Sequence, residues 1–242
     1  MSRAGQPAGR WHFPAGTRRS GPFAGQLAPP DGGLAYSSLR LLELRPGQEV
    51  TVRTGEEEFL VLPLAGACTV LADGRQIDLQ GRRDVFSRVT DFAYVPRDAS
   101  MTVRSAAGGK FALPGARAAR RLPARHGPAR GVPVEIRGSG QASRQVNNFC
   151  SPEAFETDRL VSVEVLTPAG NWSSYPPHKH DQARPGEAEL EEIYYFETGS
   201  GPAGPGLGYQ RVYASSPARP IDVLAEVRTG RPAVVSVELE PV

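Results

Sequence analysis

From Tyr36 onward, hydrophobic positions recur with the two-residue period of half-buried strands, and Gly, Pro and Asp interrupt them at short intervals. SLRLLELRP alternates imperfectly, with Leu39 and Leu41 set against Arg40 and Leu42. After a PGQ turn, EVTVRT alternates cleanly, Val50 and Val52 sharing one face. EFLVLPLAGACTVLA is apolar enough for a pair of strands inside a sandwich or barrel. The dipeptide Asp73-Gly74 is a hairpin signal between that run and QIDLQ. VFSRVTDFAYVPRDASMTVRS predicts further strands, and AAGGKFALPGARAA closes a first unit. A second series opens with RLVSVEVLTPAGNW, where Leu160, Ser162 and Glu164 alternate with Val161, Val163 and Val165, and it continues through YQRVYA and IDVLAEVRTG. This pattern predicts an all-β fold in which strands and turns dominate and no long amphipathic helix appears.

Three regions break the strand pattern. Residues 1–33, rich in Gly, Pro and Arg, read as an extended N-terminal segment that Trp11, His12 and Phe13 could tack onto a domain. Between 115 and 140 the chain is crowded with Arg, Pro and Gly but lacks interleaved aromatics, so it reads as a solvated linker rather than a nucleic-acid patch. His126 falls in this linker and is not expected to be a ligand. The expected division is therefore 34–135 and 136–242. SPEAF predicts a short helix start, with Ser151 as N-cap and Pro152 in the first helical position.

Composition narrows the function classes. The 242 residues carry a net charge of only +2, which requires neither nucleic acid nor an acidic membrane as partner. Two distant cysteines, Cys68 and Cys150, make no disulfide framework and fit a reduced, cytoplasmic compartment. No apolar run reaches the length of a signal-peptide core or a membrane span.

Candidate chemistry concentrates in Gly170–Gly199, GNWSSYPPHKHDQARPGEAELEEIYYFETG. On a strand, His178 and His180 would project to one side while Lys179 points away. With 192–196 as hairpin partner, a carboxylate from Glu192 would complete a two-His, one-carboxylate set of the kind that holds Zn, Mn or Fe(II) with open positions. The alternative is a merely polar His-x-His loop edge.

The stretch resembles the first cupin motif: a glycine, then His-x-His, then Glu192 and Gly199 with IYYFET between them. Glu191 does not fit that spacing, and the gap from His180 to Glu192 is longer than usual. NWSSYPPHKHD followed by LEEIYYF, with GYQRVY after it, resembles the 5-deoxy-glucuronate isomerases of bacterial myo-inositol catabolism, which are bicupins. VLPLAGACTV and VFSRVTDFAYVPRDA extend the similarity into the first half.

That resemblance implies two cupin-like double-stranded β-helix (jelly-roll) units. The first should be without metal, since Met101 stands where a ligand histidine would fall. The second should carry the site on His178, His180 and Glu192, with Zn or Mn as the divalent metal. It further implies conversion of 5-deoxy-D-glucuronate to 5-dehydro-2-deoxy-D-gluconate, an aldose-ketose isomerisation of a small sugar acid. By strand parity Tyr194 is the candidate proton relay or substrate contact, with aromatic packing as its alternative. Arg211 is the candidate partner of the substrate carboxylate, with a solvent-facing role as its alternative. The second motif departs from the family: starting it at Gly230 puts Ser236, Glu238 and Pro241 where proline, glycine and histidine are expected. The second unit is therefore expected to be incomplete and short of a fourth ligand. Two other classes stay open, a two-His one-carboxylate oxygenase and a non-catalytic sugar-acid-binding cupin; a homo-oligomer is compatible with each.

Overall fold

A computed structural model describes residues 11–14, 16–201, 204–217, 220–228 and 235–236. Gly230, Glu238 and Pro241 of the altered second motif lie outside the described residues. The strands are β1 (Phe23–Leu27), β2 (Ser37–Leu44), β3 (Glu49–Arg53), β4 (Glu57–Ala72), β5 (Arg75–Arg82), β6 (Phe92–Val95), β7 (Ser100–Arg104), β8 (Gly109–Arg117) and β9 (Arg125–Gly127). They continue with β10 (Val134–Arg137), β11 (Arg144–Cys150), β12 (Ser162–Leu166), β13 (Glu192–Ile193), β14 (Ser200–Gly201), β15 (Gly204–Pro205), β16 (Gly208–Tyr213), β17 (Asp222–Val227) and β18 (Val235–Ser236). Among the described residues the only helices are three short 3-10 turns, so none is long and apolar enough to cross a membrane.

The chain divides into two compact units. The larger takes Gly21–Ala24 and Leu39–His178; the other takes the described residues up to Ser20, Gly25–Ser38 and those from Lys179 on. The Arg-rich stretch between 115 and 140, expected to be a linker, lies inside the larger unit and is structured. Within it β9 pairs with β6 and β10 pairs with β11.

The larger unit is organised on β4. EFLVLPLAGACTVLA forms a single strand rather than a pair, bent where its register shifts at Pro63/Ala65 and Gly66/Cys68. Before the bend it pairs with β8 and β6; after it, with β5 and β7. Gly66 and Gly81 meet at the bend, both at positive φ, and a Cβ on Gly81 would overlap the Gly66 carbonyl oxygen. The first half of β4, enclosed on both faces, is buried continuously from Glu58 to Leu64, and the second half alternates. Phe59, Val61, Val70, Met101, Val103, Phe111 and Leu113 centre the core. The Asp73-Gly74 turn joins β4 to β5 with both residues at positive φ, 51° and 68°, the handedness that a tight hairpin requires.

Two carboxylates, the fully buried Glu58 and the half-buried Glu164, tie later segments to this core. Glu58, fully buried, accepts hydrogen bonds from the Tyr94 hydroxyl (2.7 Å) and from the backbone N–H of Asp158 (2.9 Å), Arg159 (2.6 Å) and Leu160 (2.8 Å). Burial, then the bond to Glu58, pushes the Tyr94 hydroxyl far above its ordinary value, so it stays a donor. Glu164 pairs bidentately with the enclosed Arg82 guanidinium. As a result β12 presents Glu164 inward and leaves Val163 and Val165 exposed, as is Val161 just before it, the reverse of what apolarity alone would favour. SPEAF forms a turn closed by the Ala154 and Phe155 N–H groups on the Ser151 carbonyl, with no helix following.

In the smaller unit, β16 and β17, the two strands expected from alternation, pair antiparallel and bury Val212, Val223, Ala225 and Val227 against Trp11, Phe13, Leu27 and Leu34. Trp11 and Phe13 do tack the N-terminal segment down.

Candidate metal centre

The segment carrying the two histidines is not a strand: residues 176–191 are irregular apart from one isolated bridge, Arg184 to Glu187. Nor is 192–196 its hairpin partner, since β13 covers only Glu192–Ile193 and pairs with β18. Local turn chemistry does what the expected ladder would have done. Arg184-Pro185-Gly186-Glu187 closes through the Glu187 N–H on the Arg184 carbonyl at 2.9 Å, with Gly186 at φ 83°. Proline followed by a positive-φ glycine is the composition of a type II turn. The Arg184 guanidinium also grips Glu187 and holds its carboxyl below the usual range. The loop ends meet where the Leu190 N–H donates to the His180 carbonyl at 3.0 Å, which returns the chain to His180 just before Glu192.

The outcome is a group of three: one donor atom each from His178, His180 and Glu192, all within 4.8 Å of one another. His178 is exposed; His180 and Glu192 are half-buried. Donors bound to one ion at about 2.1 Å lie no more than about 4.2 Å apart, and the 4.8 Å limit on this group is close to that separation. Two imidazoles and a carboxylate are a donor set suited to Zn or Mn, and the residues fit such an ion.

Around the trio, the structure shows contacts that spacing did not reveal. Lys179, between the histidines, donates to Asp181 (2.9 Å) and Gln182 (2.9 Å) and lies 3.5 Å from Glu187. Asp181 is buried and also accepts from the Ser215 hydroxyl. Glu191 accepts the backbone N–H groups of Ala35 (2.8 Å), Tyr36 (3.0 Å) and Ser37 (2.7 Å). Tyr194 stacks on Phe196, ring centroids 6.0 Å apart and planes 12° apart. Arg211 is engaged by its own hairpin: Nη1 donates to the carbonyls of Val212 (2.8 Å) and Val223 (2.9 Å), and the guanidinium pairs with Asp222.

Fold and trio together define a cupin-type β protein with a two-imidazole, one-carboxylate donor group. The fold matches that of an IolB-like protein from Salmonella typhimurium LT2, with a TM-score of 0.80 at 29% identity over 93% of this chain and 84% of the other. The model of the KduI/IolB family matches residues 14–242, and the chain belongs to that family. A 5-deoxy-glucuronate isomerase of Geobacillus kaustophilus is 37% identical over 90% of this chain and 78% of its own length. One from Bacillus subtilis strain 168 is 32% identical over 86% of this chain and 76% of its own. The chain is thus an enzyme of the isomerase class.

Proposed function

We propose that this isomerase interconverts 5-deoxy-D-glucuronate and 5-dehydro-2-deoxy-D-gluconate in inositol catabolism, using a divalent metal, Zn or Mn, held by His178, His180 and Glu192. The observation that carries the reading is the close grouping of those three donors in a chain 32–37% identical to proteins named for that reaction. The C-terminal half carries the ligands, and the N-terminal half, where Met101 is packed into the core, is structural.

The reaction moves a proton from the hydroxyl-bearing carbon to the adjacent aldehyde carbon and the hydroxyl proton to the former aldehyde oxygen, leaving a ketone and a primary alcohol. A bound divalent ion would supply Lewis-acid stabilisation of the negative charge developing on the two substrate oxygens. The chain's own part is to hold the substrate oxygens beside the trio and to carry the proton. The Tyr194 hydroxyl, two residues beyond Glu192, is the proposed relay or substrate contact. Arg211 is the proposed carboxylate partner, a role that requires it to exchange Asp222 for the substrate.

The test is to incubate the purified, metal-loaded chain with 5-deoxy-D-glucuronate and follow the aldehyde proton by NMR. Loss of the aldehyde with growth of the ketose, abolished by chelator and restored by Zn or Mn, is expected. No turnover by the folded, loaded chain would overturn the assignment, and oxygen consumption without ketose would move it to an oxygenase.

A further inference from the structure

His178 and His180 lie outside any strand, and Glu192 sits in a strand of only two residues, β13, paired with β18, so further contacts must fix the donors. Each of two ligands has an acidic neighbour one peptide away that is tied down. Glu191 precedes Glu192 and receives three successive backbone N–H groups from residues 35–37, more than 150 positions away. Asp181 follows His180, is buried, and accepts from Ser215 and from Lys179.

We propose that Glu191 and Asp181 are positioning residues of the metal centre, Glu191 reinforcing the short β13–β18 pairing that carries Glu192 and Asp181 supporting His180 where no strand does; this rests on the three-ligand reading above. Adjacent Cα atoms are fixed about 3.8 Å apart, so pinning Glu191 sets where the Glu192 side chain begins. Glu191 has both oxygens engaged, Oε1 by Ala35 and Oε2 by Tyr36 and Ser37, which restricts rotation as well as position. Asp181 likewise has Oδ1 on Lys179 and Oδ2 on Ser215. A carboxamide at either position presents an N–H where a donor already sits, so Glu191→Gln and Asp181→Asn each break an anchor at nearly constant shape. Donors no longer held in place pay ordering entropy on binding, and the metal is held less tightly.

The experiment measures Zn affinity by competition with a chromophoric chelator on the full chain and on E191Q and D181N, with urea unfolding of the metal-free forms alongside. The expected result is a loss of affinity of about ten- to a hundredfold, the range seen when supporting partners of ligands are removed. A cobalt-substituted sample should also show a changed visible spectrum in each variant. Should E191Q not fold, E191D, which keeps the charge but withdraws the carboxylate by one methylene, is read in the same way. Folded variants that bind Zn within twofold of the parent overturn the positioning role, whatever happens to their stability, and leave the three-ligand reading standing. A folded parent that binds no Zn removes that reading and this proposal with it.

Discussion

Replacing Glu58 with alanine is expected to destabilise the larger unit by about 3–5 kcal/mol, the range for removing one partner of a buried charged contact. Four donors converge on that carboxylate. Two of them, the Tyr94 hydroxyl and the Leu160 N–H, are in buried contacts, while those from Asp158 and Arg159 are partly accessible and can recover water. A stranded buried donor costs about 1–3 kcal/mol, so the two buried ones alone supply about 2–6 kcal/mol before the lost packing is counted. Against a typical domain stability of about 5–15 kcal/mol this is a large fraction. Urea unfolding followed by tryptophan fluorescence and circular dichroism reports it as a lower midpoint with an unchanged slope. Glu58→Gln should recover only part of the loss, because its amide nitrogen must face a donor. A loss below about 1 kcal/mol for Glu58→Ala would contradict this, since water would then be replacing the carboxylate.

Other consequences follow from the same contacts. Glu164→Ala leaves the enclosed Arg82 without its bidentate partner and should also cost about 3–5 kcal/mol, measured by the same unfolding. For Asp158, burial raises the pKa, but hydrogen bonds from the Arg120 side chain and the backbone of Arg120 and Ala119 outweigh it and leave the carboxyl below its ordinary value. Its contribution is therefore present above about pH 3.9 and lost as pH falls through the lowered folded value. Asp158→Asn should match the parent at the acid end of a stability-versus-pH series and fall below it toward neutrality; a constant difference would contradict this. The Cys68 thiol is pushed up to about 12 by burial and then by Asp91, and burial raises Cys150 too. Neither should react with a thiol reagent at neutral pH until urea unfolds the chain.

What the sequence disclosed depended on the range of the interaction. Asp73-Gly74 and the alternation of β16 and β17 are local signals, and each produced the element expected of it. β4 was harder to read because its two halves look like two strands; the bend that keeps them one depends on Gly66 meeting Gly81 and Gly108. The inward face of β12 could not be seen from VSVEV, since it is set by Arg82, far earlier in the chain. The trio shows both cases: the three residues that spacing singled out are grouped in the structure, whereas the strand geometry expected of the histidines is not what it adopts. Leu190 reaching back to His180 is a fold-level contact, and the anchors of Glu191 are main-chain groups that leave no mark in the sequence.

Metal binding by His178, His180 and Glu192 is decided by elemental analysis of the purified chain beside its His178→Ala variant, with circular dichroism confirming that both are folded. The expected result is a divalent ion bound in stoichiometric amount by the parent and lost from the variant, with isomerisation of 5-deoxy-D-glucuronate lost in parallel. A folded parent that retains no Zn or Mn after loading, or a His178→Ala variant that retains both metal and turnover, would contradict it.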